Sequence, residues 1–179
     1  MSHATAQDKY DALLQHARDY RLRTIVETGL YLGGGTGGQL WTDHRGELFD
    51  RYVVVDFQPD NIRKAKMNYP GAEAFCGDSG VVLPLLLMVG YLRAPALFWL
   101  DAHGIPDDEN FPDFPTVREI EAIVRWPWAR RSVVLVDDMD MMDGQNLVGP
   151  HAQAFRDQVA AVSVWGMAEP DSIMRLTPR

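Results

Sequence analysis

Acidic side chains close most of the apolar runs in this chain. Arg23-Thr24-Ile25-Val26 ends on Glu27, Tyr52-Val53-Val54-Val55 on Asp56, Ala96-Leu97-Phe98-Trp99-Leu100 on Asp101, and Ser132-Val133-Val134-Leu135-Val136 on Asp137-Asp138. A weaker run, Glu73-Ala74-Phe75-Cys76, reaches Gly77-Asp78. One acid at a strand end is ordinary, because Asp caps helices and turns; its recurrence along one chain suggests a common site. Asp101, His103, Asp137 and Asp138 would offer hard carboxylate oxygens and one imidazole. That set suits Mg²⁺, Mn²⁺ or Ca²⁺, with His103 tilting the choice towards Mn²⁺ or a heavier ion. The plainer reading is that Asp137-Asp138 caps a helix and His103 bonds a loop. As chemistry, an imidazole of ordinary pKa about 6.5 suits a general base. His103 is therefore the first candidate for a catalytic base and Asp101 the second.

The second chemical feature is the glycine loop Glu27-Thr28-Gly29-Leu30-Tyr31-Leu32-Gly33-Gly34-Gly35-Thr36-Gly37-Gly38. Glycines permit close backbone approach to a ligand, and a helix N-terminus behind them can hold an anion. Gly33, Gly35 and Gly38 satisfy the dinucleotide pattern G-x-G-x-x-G, with Asp56 downstream. The register speaks against that frame, since a dinucleotide loop begins its glycines at the strand end and Gly33 lies well past Glu27. The frame Glu27-x-Gly29-x-x-x-Gly33 places an acid on the strand itself and suits a cofactor with a positive charge and an amino-acid head. Asp56 could accept both hydroxyls of a ribose, and Asp78 the amino group of an adenine. S-adenosylmethionine is preferred over a nicotinamide dinucleotide on these grounds. No Gly-Lys-Ser/Thr follows the glycines, which excludes a P-loop.

The elements that must position these residues alternate. An amphipathic helix is predicted over Ala4 to Arg18 from Tyr10, Leu13, Leu14 and Ala17. Helices are expected at Pro59 to Asn68, with Pro in the first turn, at Val81 to Leu92, read as buried throughout, and at Pro115 to Arg125. Strands separated by helices imply right-handed crossovers and a parallel sheet covered on both faces. Ligands of such sheets sit beyond the carboxyl ends of the strands, where the acids would gather. After a helix near His151 to Val162, Ser163 to Met167 and Ser172 to Leu176 are joined by only Ala168-Glu169-Pro170-Asp171. That link is too short for a helical crossover, so the sheet should close with an antiparallel strand.

The chain has 179 residues, enough for one domain spanning 1–179 with residues 1–20 forming a helix on the sheet. Its net charge of -8 disfavours nucleic acid or an anionic membrane as partner. The apolar run Val81 to Leu92 falls short of the roughly 20 residues that span a bilayer. A single cysteine, Cys76, excludes an internal disulfide, and the expectation is a reducing, cytoplasmic location.

Taken together, Val26-Glu27-Thr28-Gly29, Gly77-Asp78-Ser79, Phe98-Trp99-Leu100-Asp101-Ala102-His103, Val136-Asp137-Asp138 and Ser172-Ile173-Met174-Arg175-Leu176-Thr177-Pro178 resemble class I S-adenosylmethionine-dependent methyltransferases. More narrowly, they are similar to a bacterial branch related to macrocin-type, metal-dependent O-methyltransferases. The likeness runs in order from about residue 20 to the C-terminus. It implies a three-layer Rossmann-like α/β fold with a seven-stranded, mostly parallel sheet and an antiparallel C-terminal strand. It implies a cofactor site of Glu27, Thr28, Gly29, Gly33, Asp56, Asp78, Ser79 and Asp101, and a divalent ion, Mg²⁺ or Mn²⁺, on Asp101, Asp137 and Asp138. The expected acceptor is a hydroxylated small molecule. Gly104 departs from the branch, which carries a bulkier residue there. With no inserted cap, the Ile105 to Phe114 loop, a second subunit of a homodimer or a large substrate must cover the site. Two other readings compete: a metal hydrolase using the Asp/His cluster, and a non-catalytic domain that binds S-adenosylmethionine.

Overall fold

The computed structural model describes residues 4–30, 32–102, 115–139, 156–157, 159–160, 165–168 and 171–179. Strands β1 (Thr24–Thr28), β2 (Arg51–Asp56), β3 (Glu73–Cys76), β4 (Leu97–Leu100), β5 (Val133–Val136), β6 (Trp165–Ala168) and β7 (Met174–Pro178) form one sheet in the order β3-β2-β1-β4-β5-β7-β6. The first five strands pair in parallel, and β7 runs antiparallel to both β5 and β6. The short link between β6 and β7 therefore makes the expected hairpin. A dinucleotide-binding sheet ends in a sixth parallel strand, so this topology disfavours the nicotinamide alternative.

The three central strands β1, β4 and β5 are short, mostly apolar and buried along their whole length, as strands covered on both faces must be. Neighbouring residues then serve opposite faces. Val26, Phe98, Val134 and Val136 pack with Leu83, Leu86, Ile120 and Ile123 of the helical layer formed by α4 (Ser79–Met88) and α5 (Pro115–Arg125), and with Trp126 just after α5. Ile25, Tyr52, Val54, Trp99 and Leu135 pack on the other face with Leu13 and Ala17 of α1 (Ala6–Asp19), Leu40 and Trp41 of α2 (Thr36–His44), and Ala65 of α3 (Pro59–Asn68). Trp99, Tyr52 and Phe98 have no exposed surface; burying each contributes about 1.5–3 kcal/mol before entropy is charged against it.

Helix boundaries follow local chemistry. Thr5 and Asp8 close a capping box on α1. Pro59 opens α3 where a missing N–H costs nothing. The helix expected at 81–92 starts earlier, because Asp78 accepts from the Gly80 amide at 2.8 Å and fixes Ser79 as the first residue. It is not buried throughout either. Leu83, Leu86 and Leu87 face the sheet, while Val81, Leu85, Met88 and the following Val89 are exposed. An all-apolar sequence gives no periodicity from which to tell the two sides apart. β7 begins at Met174, two residues later than expected, because Ser172 and Ile173 belong to the approach turn, where Asp171 accepts from the Ile173 amide. Residues 156–157 and 159–160 are helical, whereas the rest of the helix expected near His151 to Val162 lies outside the described residues. Among the described residues no helix is long and apolar enough to cross a membrane.

Candidate functional site

The carboxyl ends of the central strands lie level. Thr28 is in register with Val55 on one side and Leu100 on the other, and Leu100 with Val136. The ladder continues past the strands: the Asp101 amide donates to Thr28 O at 2.9 Å and the Asp137 amide to Leu100 O at 3.0 Å. Asp101 and Asp137 therefore emerge side by side.

At the end of β1 the chain turns sharply at Gly29. Its φ is +82°, and a Cβ there would stand 2.5 Å from the carbonyl oxygen of Asp101, so only glycine fits. The next residue meets Asp56: Leu30 N donates to Oδ2 at 2.7 Å, while Oδ1 accepts from Gln58 N at 2.7 Å and from Asn61 Nδ2 at 3.3 Å. Asn61 Nδ2 also donates to Leu30 O at 2.7 Å, tying the glycine loop to α3. Burial raises the pKa of Asp56 against the pull of these donors.

Glu27 has a different environment from the one its position suggests. It is fully buried, accepts from the Tyr52 hydroxyl and from Gly37 N at 3.1 Å, and so anchors the N-terminus of α2. A Cβ on Gly35 would approach Glu27 Oε1 to 2.4 Å; this glycine is needed by the carboxylate itself. Burial outweighs both donors and pushes the Glu27 pKa up to about 7. Gly33 lies in the left-handed region, where a Cβ would meet the side chain of Lys64.

Asp78 caps α4 and pairs with Arg118 Nη2 at 3.0 Å on the exposed surface. Ser79 is buried behind it and, with Thr28, faces Glu119 on α5. Both Glu119 oxygens and Thr28 Oγ1 are buried without a well-formed hydrogen bond. Burial lifts the Glu119 pKa to about 7.

Asp101, Asp137 and Asp138 bring one ligand atom each within 4.8 Å of the others. Asp137 and Asp138 are buried, Asp138 holds a φ of +51°, and its amide donates to Asp137 Oδ1 at 2.8 Å. Lys9 of α1 reaches into the cluster, its Nζ 2.6 Å from Asp137 Oδ2 and 3.1 Å from Asp138 Oδ1. The Asp137 contact is close but misaligned, leaving Oδ2 without a proper hydrogen bond. Burial and the nearby Asp101 charge raise the Asp137 pKa to about 7 in spite of Lys9. Three carboxylates that bring their oxygens this close together are chemically suited to a divalent ion.

The structure thus gathers Glu27, Thr28, Gly29, Gly33, Asp56, Asp78, Ser79, Asp101, Asp137 and Asp138 along the carboxyl edge of the sheet. His103, Gly104, Tyr31 and the loop Ile105 to Phe114 lie outside the described residues. Lys9, Tyr52, Asn61, Arg118 and Glu119 are site neighbours that the sequence did not reveal. Glu119 had a signal: Thr116, Glu119, Ile120 and Ile123 are all buried, at the spacing of one helix face.

No protein-family model and no curated protein matches the sequence. Solved structures do match. The TehB-like SAM-dependent methyltransferase from Corynebacterium glutamicum superposes with a TM-score of 0.56 at 15% identity, over 95% of this chain and 87% of that one. The fold is that of the S-adenosylmethionine-dependent methyltransferases. CmcI with Mg and SAM shares this methyltransferase fold at a TM-score of 0.57 and 16% identity, over 93% of this chain and 70% of that one. MycE, a methyltransferase from the mycinamycin biosynthetic pathway in complex with Mg and SAH, gives 0.56 at 11% identity over 93% of this chain and 48% of its own.

Proposed function

We propose that the chain is an S-adenosylmethionine-dependent methyltransferase that acts on a hydroxyl of a small molecule with the help of a divalent cation on Asp101, Asp137 and Asp138. The observation that carries this reading is the adjacency of two sites on one sheet edge. The Gly29 turn and the backbone-anchored carboxylate of Asp56 lie at β1 and β2, and the acidic trio begins one strand away at β4. Methyltransferase folds that hold Mg with SAM or SAH support it.

When bound, S-adenosylmethionine would supply an electrophilic methyl on sulfur, and a divalent ion would acidify and orient an acceptor hydroxyl. Asp56 would accept from the ribose hydroxyls with the oxygen lone pairs its backbone donors leave over. Asp78, half-exposed just past the end of β3, would take the adenine amino group. The backbone at Gly29 would admit the amino-acid head close to the sheet, and Asp101, where the two sites meet, would be the second candidate to receive the acceptor's proton. His103, outside the described residues, remains the first candidate base. The charge of -8 argues for a small acceptor over nucleic acid, and the fold favours methyl transfer over hydrolysis.

Calorimetric titration of S-adenosylmethionine and NADH into the protein, with and without Mn²⁺, tests the reading. Binding of S-adenosylmethionine alone is expected, and it should vanish in Asp56→Ala while that variant keeps its cooperative thermal transition. Absence of binding in every metal condition would refute the proposal.

A further inference from the structure

The acidic trio already contains a cation, and it belongs to the chain. Lys9 projects from the first half of α1, its side chain only 16% exposed, and its Nζ is shared between Asp137 Oδ2 and Asp138 Oδ1. The two segments are also joined through their backbones. Ala4 N donates to Ser172 Oγ at 2.9 Å, and Met139 N donates to Ser172 O at 2.8 Å. Ser172 thereby fixes the start of α1 against the residues that follow β5, and with the capping box at Thr5 it aims Lys9 into the cluster.

We propose that Lys9 is the resident counter-ion of the Asp101, Asp137 and Asp138 cluster, and that a divalent cation enters by displacing its ammonium, so that metal loading is coupled to the seating of α1. This rests on the metal-assisted reading above. A divalent ion takes carboxylate oxygens at about 2.0–2.6 Å, and the Lys9 ammonium holds Asp137 and Asp138 at nearly that range. The two cations compete for the same carboxylates, and at such separation they repel too strongly to share them. One ammonium also matches the cluster poorly. Lys9 faces Asp137 and Asp138 with a single charge, and a divalent ion would bring two to the same carboxylates, which favours exchange once its concentration is sufficient. Lys9 would in this way set the threshold at which the site loads and hold the cluster together below it.

Two measurements on the full chain test the proposal. The first is Mn²⁺ affinity, read from loss of the free-ion paramagnetic resonance signal in the wild type and in Lys9→Met. The variant should bind about tenfold more tightly, the factor expected if Lys9 closes the site in about nine molecules of ten. Equal Mn²⁺ affinity in the two proteins overturns the displacement while leaving metal assistance standing. Failure of both to bind Mn²⁺ overturns the displacement together with metal assistance, and S-adenosylmethionine titration still judges methyl transfer separately. The second needs no variant. The chain has three lysines, Lys9, Lys64 and Lys66, so acylation by an N-hydroxysuccinimide ester can be followed at each by mass spectrometry. Lys9 should react slowly without metal and several-fold faster with saturating Mn²⁺, with Lys64 and Lys66 as internal references. A Lys9 rate unchanged by bound Mn²⁺ overturns the proposal.

Discussion

Replacing Glu119 by Gln should stabilise the protein at alkaline pH and do little at acid pH. Glu119 is fully buried on α5, and burial lifts its pKa from the ordinary 4.5 to about 7. Such a group favours the folded state only while it is protonated. Its contribution is complete below pH 4.5, declines as the unfolded chain begins to lose the proton, and reaches its full penalty above pH 7. At about 1.4 kcal/mol per pH unit, a difference of about 2.5 between folded and unfolded pKa amounts to about 3 kcal/mol at pH 8. Glutamine keeps the shape and cannot ionise, so that penalty disappears in the variant. Urea unfolding at pH 4.5 and pH 8 measures it. With a slope of about 2–3 kcal/mol per molar, the midpoint of Glu119→Gln should exceed the wild type by about 1 M or more at pH 8 and nearly coincide with it at pH 4.5. An equal gain at both values would refute the reasoning, because a carboxyl of ordinary pKa titrates alike in both states.

Two further perturbations follow from the same geometry. Gly29→Ala forces a side chain into a positive-φ turn against the Asp101 carbonyl, and should cost at least about 1–3 kcal/mol in chemical denaturation and abolish S-adenosylmethionine binding; an unchanged midpoint would show that the loop is free to re-form elsewhere. Tyr52→Phe removes a buried donor from Glu27 and should cost about 1–3 kcal/mol. Because that donor holds the Glu27 pKa down, its loss should weaken the protein more at pH 8 than at pH 5, and denaturation at the two values checks the ordering.

The fold was legible in the sequence wherever short-range chemistry decides it. α3 and α5 run over the expected residues, because Pro59 and Pro115 mark their starts and amphipathic spacing does the rest. The antiparallel closure was legible too, since a link as short as the one between β6 and β7 permits nothing else. The direction of α4 was not, for a helix of leucines and valines carries no mark of which side meets water. The site divides in the same manner. Acids at strand ends can be counted along the chain, and register then brings them level. Lys9 is different: it meets Asp138 129 positions along the chain, and nothing near residue 9 distinguishes that lysine from a solvated one on α1. Glu27 was found for its position, yet its environment depends on Tyr52 and on a bare Gly35, partners known only once β1 and β2 are paired.

The tether at Ser172 also bears on the order in which the molecule can be completed during synthesis. α1 is made before the sheet, but the hydroxyl that receives the Ala4 amide and the carbonyl that receives Met139 arrive only with Ser172, after β1 to β6 have been made. Until then Lys9 has no fixed approach to Asp137 and Asp138, and its ammonium does not ease the repulsion between them. The parallel core from β1 to β5 can form while the chain is still growing. The charged centre is finished afterwards, in a late step that joins α1 to the turn before β7.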